Sequence, residues 1–191
     1  MTIDFVVGDG IASKGNGTYI TTTIGSSGGK IAKTSDGGLT WTLINSGINS
    51  STYDIFYGDS RFFLTGTGGG GHEAKGVYTS NDGSTWTGRF LPWDDSPQAV
   101  TYGNGIYIVV GAGGKIATSE NGISWTSRNL GSSSNGLNDV HYGNGLYVIV
   151  GEKDSIYTSS DGIDWSLKYS NGVSGNDTLN SVTYGNGRFI A

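Results

Sequence analysis

An eight-residue motif, T-S-x-x-G-x-x-W, occurs four times in this chain at intervals of about 40 residues. Its copies end at Trp41, Trp86, Trp125 and Trp165. A recurrence of this length indicates one repeated supersecondary unit, and each unit must bury its apolar face against its neighbours. The repeat therefore constrains the fold more than any other feature of the sequence.

A second motif, Y-G-N-G, lies between successive copies of the first. It begins at Tyr102, Tyr142 and Tyr184; a divergent copy, Y-G-D-S, begins at Tyr57, and another begins at Lys14 in place of the tyrosine. Asn-Gly is the preferred pair for a two-residue hairpin turn with positive φ at both positions. The runs that follow are rich in aromatic and β-branched residues, so we predict a hairpin at each copy.

The repeated unit divides into four short strands. In the clearest copy these are residues 139–142, 146–151, 155–159 and 164–169. No segment has a helical period with caps. We therefore predict an all-β β-propeller of about five blades, each a four-stranded antiparallel sheet, in a single domain spanning residues 1–191. The predicted blades cover residues 11–47, 51–93, 97–130, 137–171 and, for the last blade, 179–191 together with 1–8.

The fifth unit contains only two strands before the sequence stops at Ala191. Residues 2–7 have strand character and no hairpin partner of their own. We expect them to complete the last blade and close the ring, because closure covers edges that would otherwise pair with other chains. Two alternatives stay open: an arc completed by another subunit, which would make a homo-oligomer, or a fragment of a longer chain.

Composition narrows the class of protein further. The 35 glycines, together with many Tyr, Trp and Phe, suit short strands joined by tight turns. A net charge of -5, with only 11 scattered Lys and Arg, argues against a nucleic-acid partner. No apolar run approaches the roughly 20 residues of a membrane span, and residues 1–10 lack the features of a signal peptide. The sequence has no cysteine, which excludes disulfides.

At the T-S-x-x-G-x-x-W segments the chain resembles the Asp-box family, also called BNR repeats. Such repeats occur in sialidases, sortilin-type receptors, a photosystem assembly factor, and phage and bacterial surface proteins. The resemblance covers nearly the whole chain and implies a structural role: the acid or amide closes a turn, and the tryptophan packs between sheets. In the family this turn lies on the face away from the ligand. The residues so assigned are Asp36 with Trp41, Asp82 with Trp86, Asn121 with Trp125, and Asp161 with Trp165.

The acid does not occupy the same place in every copy. Asp36 stands at the family's acid position, whereas Asp82, Asn121 and Asp161 each come one position later. We therefore expect those three turns to be built differently from the first.

The resemblance also raises the hypothesis of a sialidase, which the residues do not favour. Such an enzyme needs three arginines converging on a carboxylate, a tyrosine nucleophile and an acid/base aspartate. Two of the four arginines, Arg61 and Arg188, occupy equivalent repeat positions, so they are not expected to converge. Of the two histidines, His141 is expected to be structural, and His72 has no second histidine for a metal site. We predict no enzyme activity, no catalytic residue, no cofactor and no metal.

Ligand-binding residues are predicted on the loops that share one face of a propeller, away from the repeated motifs. Trp93, the only tryptophan outside the motif, stands beside Asp94 and Asp95. An aromatic ring flanked by carboxylates and amides suits a sugar. The alternative is that Trp93 packs under its own loop. The predicted ligand-binding residues are Trp93, Asp94, Asp95, His72, Glu73, Arg128, Asn129, Tyr169, Asn176 and Asp177.

These observations predict a non-enzymatic binding propeller that recognises a glycan or a surface receptor, as a phage tail or receptor-binding component would. The expected location is extracellular or on a virion, and a cytoplasmic location stays open. The alternative is a protein–protein assembly scaffold, in which the same loop face meets another virion or surface protein. A glycoside-acting enzyme is a third hypothesis, and it requires two carboxylates roughly 5–10 Å apart.

Overall fold

The structure, a computed structural model, describes residues 10–23, 30–48, 51–67, 76–131, 135–171 and 177–191. Regular structure in these ranges is all β, apart from one 3-10 turn at Ala112–Gly114. In the part of the chain described, no helix is long and apolar enough to cross a membrane. The chain divides into two compact units, Met1–Phe90 and Leu91–Ala191.

The first unit contains two four-stranded antiparallel sheets, and in each sheet every strand pairs with the next one along the chain. The strands of the first sheet are β1 (Ile11–Gly15), β2 (Thr18–Thr23), β3 (Lys30–Thr34) and β4 (Thr42–Ile44). Those of the second sheet are β5 (Thr52–Gly58), β6 (Arg61–Gly66), β7 (Gly76–Ser80) and β8 (Thr87–Phe90).

The second unit contains two further four-stranded sheets of the same order and one two-stranded sheet. The strands of the first are β9 (Pro97–Gly103), β10 (Ile106–Gly111), β11 (Lys115–Ser119) and β12 (Thr126–Arg128). Those of the second are β13 (Leu137–Gly143), β14 (Leu146–Gly151), β15 (Ser155–Ser159) and β16 (Ser166–Tyr169). The two-stranded sheet is formed by β17 (Thr183–Gly185) and β18 (Arg188–Ile190). The segment predicted to complete it, residues 2–7, lies outside the described residues.

The four-strand unit of the clearest repeat is confirmed, with three changes of boundary. Its second and third strands have the predicted limits, whereas the first runs from Leu137 to Gly143 and the fourth begins at Ser166. The fourth starts late because the carboxylate of Asp161 accepts hydrogen bonds from the backbone N–H groups of Ile163 and Asp164. Those residues therefore belong to the turn and not to the strand.

The Y-G-N-G motifs form the predicted hairpin turns. Asn104 has φ 45° and Gly105 has φ 83°, and the other Asn-Gly pairs repeat these values closely. In the divergent copy, Asp59 and Ser60 take φ 48° and 62°. Ser60 occupies the place of glycine in a conformation that side chains disfavour, so this turn carries a local conformational cost that the other copies avoid.

Each unit has its own apolar core between adjacent sheets. The strand alternation turns one set of side chains inward, and Trp86 and Trp165 each pack against the core of their own unit. Fully buried members include Ile20, Ile31 and Phe62 in the first unit, and Ile108, Ile116 and Tyr147 in the second.

In two copies of the Y-G motif, the glycine packs against a tyrosine of the next sheet. A Cβ placed on Gly103 would lie 2.1 Å from Cγ of Tyr142, and one on Gly143 would lie 2.2 Å from Cγ of Tyr184. The ring of Tyr142 packs against that of Tyr147 with 4.5 Å between centroids and 48° between the ring planes. The buried hydroxyl of Tyr147 donates to the carbonyl of Gly103, and burial raises the pKa of this phenol.

The repeated turns between the third and fourth strands are closed by one hydroxyl and one acid or amide two residues later. In the second copy, Asp82 Oδ1 accepts from the backbone N–H groups of Ser84 and Thr85, both at 2.8 Å. The hydroxyl of Ser80 accepts the N–H of Gly83 at 2.8 Å and donates to Asp82. These bonds, first that from Thr85, lower the pKa of Asp82 to about 2. Asn121 and Asp161 close their turns in the same way.

The first turn, between β3 and β4, is one residue longer than the other three, and the structure shows how the extra residue is accommodated. The hydroxyl partner is Thr34, the acid is Asp36, and the backbone and hydroxyl of Thr40 donate to that carboxylate. Two successive glycines, Gly37 and Gly38, have φ 79° and 97°, where each other copy has one such glycine. The turns are therefore built in two forms.

Candidate functional site

An apolar groove of about 470 Å³ lies beside the two-stranded sheet in the second unit. One wall comes from the face of the preceding sheet, where alternation along β14 and β15 presents Val148, Val150 and Ile156. The other wall carries Leu179, Val182, Phe189 and Ala191. In the described part of the chain β18 pairs only with β17, so one edge of this sheet borders the groove without a strand partner.

A cluster of hydrogen bonds fixes the segment that leads into the two-stranded sheet. Asp139 Oδ2 accepts from the backbone N–H of Val182 at 2.7 Å and from the hydroxyl of Ser181 at 2.8 Å. The side-chain amide of Asn138 donates to the carbonyl of Leu179 at 2.9 Å. Burial raises the pKa of Asp139, although its hydrogen bonds oppose that shift. The sheet β13–β16 therefore fixes the position of Leu179 and Val182 in the wall of the groove.

The rim of the groove is polar and includes one of the predicted ligand-binding residues. Tyr169 lines the groove and is 55% exposed. Asp154 also lines it, and Asp154 Oδ2 accepts a hydrogen bond from the side-chain amide of Asn171 at 2.6 Å. An exposed aromatic ring thus stands near a carboxylate–amide pair at the entrance of an apolar channel.

A second, more polar cleft of about 290 Å³ contains another predicted residue, Arg128. Its Nε donates to Thr118 Oγ1 at 2.8 Å, which draws the guanidinium along the sheet surface. The cleft is also lined by Asn121 and Asp161 of two repeated turns. The structure therefore places Arg128 at the end of the sheet that carries those turns, and Tyr169 at a different site.

The remaining predicted residues are distributed over loops. Trp93 is half-buried, and its indole N–H is buried with no hydrogen-bond partner in the ranges described. Asp94 and Asp95 are exposed, and Asp95 approaches Gly113 at the turn between β10 and β11. Asn129 accepts the N–H of Gly131 in a local turn. Asp177 is exposed, whereas His72, Glu73 and Asn176 lie outside the described residues.

Sequence reasoning missed most of the groove. Its signal was present in the alternation of Val148 and Val150, but those residues looked like ordinary strand interior. Within the described ranges, no three His, Cys, Asp or Glu side chains come together as a metal site would require. Hydrogen-bonding and apolar contact are what the groove can offer a ligand.

Successive four-stranded antiparallel sheets, in which each strand pairs with the next, place this protein in the β-propeller class, and the predicted fold class is confirmed. No protein-family model and no curated protein matches the chain. The Asp-box family thus stays a resemblance of short motifs.

Solved structures that share the fold include two of YCF48 and one of a bacterial extracellular domain. YCF48 from Cyanidioschyzon merolae matches 93% of this chain and 60% of its own, with a TM-score of 0.62 and 17% identity. YCF48 bound to D1 peptide matches 91% of this chain and 56% of its own, with a TM-score of 0.64 and 18% identity. The extracellular domain of the putative hybrid two component system BT4673 from B. thetaiotaomicron matches 91% and 24%, with a TM-score of 0.66 and 11% identity. The chain thus spans little more than half the length of the YCF48 chains.

Proposed function

We propose that this protein is a non-enzymatic interaction propeller, and that it binds an extended segment of another protein in the groove beside β17 and β18. The observation that carries the proposal is the apolar groove, which borders strand β18, whose strand partner among the described residues is β17 alone.

The chemistry of the edge supports strand addition. In a two-residue hairpin, Arg188 and Gly185 flank the turn as a hydrogen-bonded pair, so the next residue, Phe189, points its N–H and C=O to the other side. A segment that pairs with Phe189 obtains main-chain hydrogen bonds, and its alternate side chains enter the groove and give specificity. A protein segment satisfies both parts of the site.

The comparison with YCF48 gives independent support. One of the matched structures is YCF48 bound to D1 peptide, so a propeller of this general fold holds a peptide. The arginines also support a non-catalytic role, because Arg89 and Arg128 each bond a threonine of the neighbouring strand through Nε. A sialidase would direct such groups at its substrate.

A display library of random linear peptides, selected against the immobilised full chain, tests the proposal. Enriched peptides should lose binding to Phe189→Ser, which alters the groove, and keep it with Ile190→Ser on the opposite face of the same strand. Ile190 is 65% exposed and does not line the groove, so it is a matched control. Selection of peptides that ignore both substitutions would refute the assignment of the groove.

Two narrower forms of the proposal concern glycan and self-association. Tyr169, beside Asp154 and Asn171, supports glycan recognition as a second candidate, because a sugar could stack on the ring and bond the polar pair. A glycan array should then show binding that Tyr169→Ala removes.

If a second copy supplies the added strand, as in a particle or surface assembly, native mass spectrometry should show oligomers that Phe189→Ser dissociates.

A further inference from the structure

We propose that the polar cleft of about 290 Å³ in the second unit receives the ammonium group of a lysine side chain from another protein. This site is separate from the groove of the proposed function, since the two share no lining residue. The proposal comes from a comparison with the first unit, in which a lysine of this chain occupies the corresponding place.

In the first unit, lysines of the first sheet bond the turn of the second sheet. Lys33 Nζ donates to the backbone carbonyl of Asp82 at 2.6 Å and to Ser84 Oγ at 3.3 Å. Lys14 Nζ donates to the carbonyl of Asn81 at 3.4 Å. Two successive carbonyl groups of this turn therefore accept hydrogen bonds from ammonium groups.

The corresponding turn packs in the same way in both units. A Cβ on Gly83 would clash with Cδ1 of Ile20 on β2, and one on Gly162 would clash with Cδ1 of Ile108 on β10. Each of these glycines directly follows the acid of its turn. The acid turn of each unit therefore lies against the same position of the preceding sheet.

Thr118 takes the place of Lys33 in the second unit. Lys33 pairs with Ile20 between β3 and β2, and Thr118 pairs with Ile108 between β11 and β10. A threonine side chain is too short to reach the neighbouring turn as the lysine does, so the second unit has a space where the first unit has an ammonium group.

The cleft lies at this position. It is lined by Thr118 and, from the neighbouring turn, by Asp161 and Ile163. Asp161 is the counterpart of Asp82, and no described residue donates to its backbone carbonyl. A lysine side chain that enters from another protein would supply this hydrogen bond, with its aliphatic part against Ile163.

The charges of the cleft also favour a cation. Glu120 and Asp161 are negative and Arg128 is positive. The carboxylate of Asp161 stays ionised, because hydrogen bonds, first that from the backbone N–H of Asp164, lower its pKa. Arg128 Nε donates to Thr118, and no described residue forms an ion pair with Glu120. One added ammonium group would leave the cleft neutral, as electrostatic complementarity requires.

The test titrates the full chain with Nα-acetyl-lysine N-methylamide, which presents one lysine side chain without charged termini, and follows backbone amides by two-dimensional NMR. The amide resonance of Gly162 should shift saturably, because its nitrogen is bonded to the carbonyl that accepts the ammonium group. The norleucine counterpart of the probe keeps the aliphatic chain, lacks the ammonium group and should leave this resonance in place. Added salt should weaken the binding, since exposed charges are screened.

Variants of the cleft locate the binding. Glu120→Gln removes one carboxylate and should weaken binding about two- to fivefold, as expected of an exposed charge pair. Asp164→Asn is the matched control, because Asp164 is exposed in the neighbouring turn, carries the same charge and does not line the cleft. Thr118→Lys places a lysine of this chain at the position of Lys33 and should abolish the shift.

The outcomes are separate from those of the proposed function, since Phe189→Ser alters the groove and should leave this titration unchanged. Equal shifts with the norleucine probe, or equal weakening by Glu120→Gln and Asp164→Asn, would overturn the inference. If spermidine shifts the Gly162 amide at a lower concentration than the lysine probe, the cleft belongs to a free polyamine and the protein partner is wrong.

Discussion

Replacing Gly103 by alanine should destabilise the second unit sharply. The added Cβ would lie 2.7 Å from Cδ2 of Tyr142 and closer still to Cγ and Cδ1, distances at which one group must move. The ring of Tyr142 has little freedom, because it packs against the tilted ring of Tyr147 with 4.5 Å between centroids, and the hydroxyl of Tyr147 donates to the carbonyl of Gly103 itself. Gly103 is not in a positive-φ conformation, so the penalty is one of packing alone.

The size of the effect follows from that geometry. Overpacking a filled site costs about 1–3 kcal/mol, and a trapped ring places this case near about 3 kcal/mol. At roughly 2–4 °C per kcal/mol for a chain of this length, the midpoint of thermal unfolding should fall by about 6–12 °C. Circular dichroism and calorimetric melts of the full chain would measure it.

Gly185 supplies the matched control. It occupies the same motif position in the fifth unit, also without positive φ, and a Cβ there would meet no heavy atom within 4 Å among the described residues. Gly185→Ala should be neutral or slightly stabilising, since alanine loses less chain entropy than glycine. If Gly103→Ala melts within about 1 °C of Gly185→Ala, the tyrosine-on-glycine account of sheet packing is wrong.

Three further outcomes are expected. The pKa of Asp82 is lowered to about 2, so its carboxylate stabilises the folded state above the unfolded pKa of 3.8, and this contribution is lost as the pH falls through about 2. Asp82→Asn keeps the acceptor and should make the free energy of urea unfolding less sensitive to acid over that window. Trp165→Phe should cost about 1 kcal/mol more than Trp125→Phe in chemical denaturation, because only Trp165 loses a hydrogen bond, whereas the buried N–H of Trp125 has no partner in the described ranges. Asp139→Ala leaves buried donors unpaired, at about 1–3 kcal/mol, and should reduce hydrogen-exchange protection in β17 and β18; unchanged protection would contradict the anchoring role.

The parts of this fold that the sequence predicts are those whose causes are local. An Asn-Gly pair such as Asn104-Gly105 specifies its own positive φ values, and a hydroxyl followed two residues later by an acid specifies its own turn. Even the difference between the Asp36 turn and the others is visible in the sequence, because the acid of the first motif stands one position earlier than the acid or amide of the other three. These features need no knowledge of any distant residue.

The parts that the sequence does not predict depend on which sheet faces which. The direction of Arg128 follows from its pairing opposite Ile116 and its bond to Thr118, neither of which its loop-like neighbours suggest. The packing contact between Tyr142 and Gly103 joins residues of two different sheets. The groove appears only when the face of β14 and the short β18 are placed together.

The turns around Asp82, Asn121 and Asp161 have one more consequence. Because each turn is closed by hydrogen bonds within about six residues, duplication of a forty-residue stretch copies the complete turn together with its strands. A gene encoding such a chain can lengthen or shorten by whole units during evolution, and each new unit contains the residues that close its own turn. The one-residue insertion beside Gly37 and Gly38 shows that such a turn can gain a residue while its sheet stays in register.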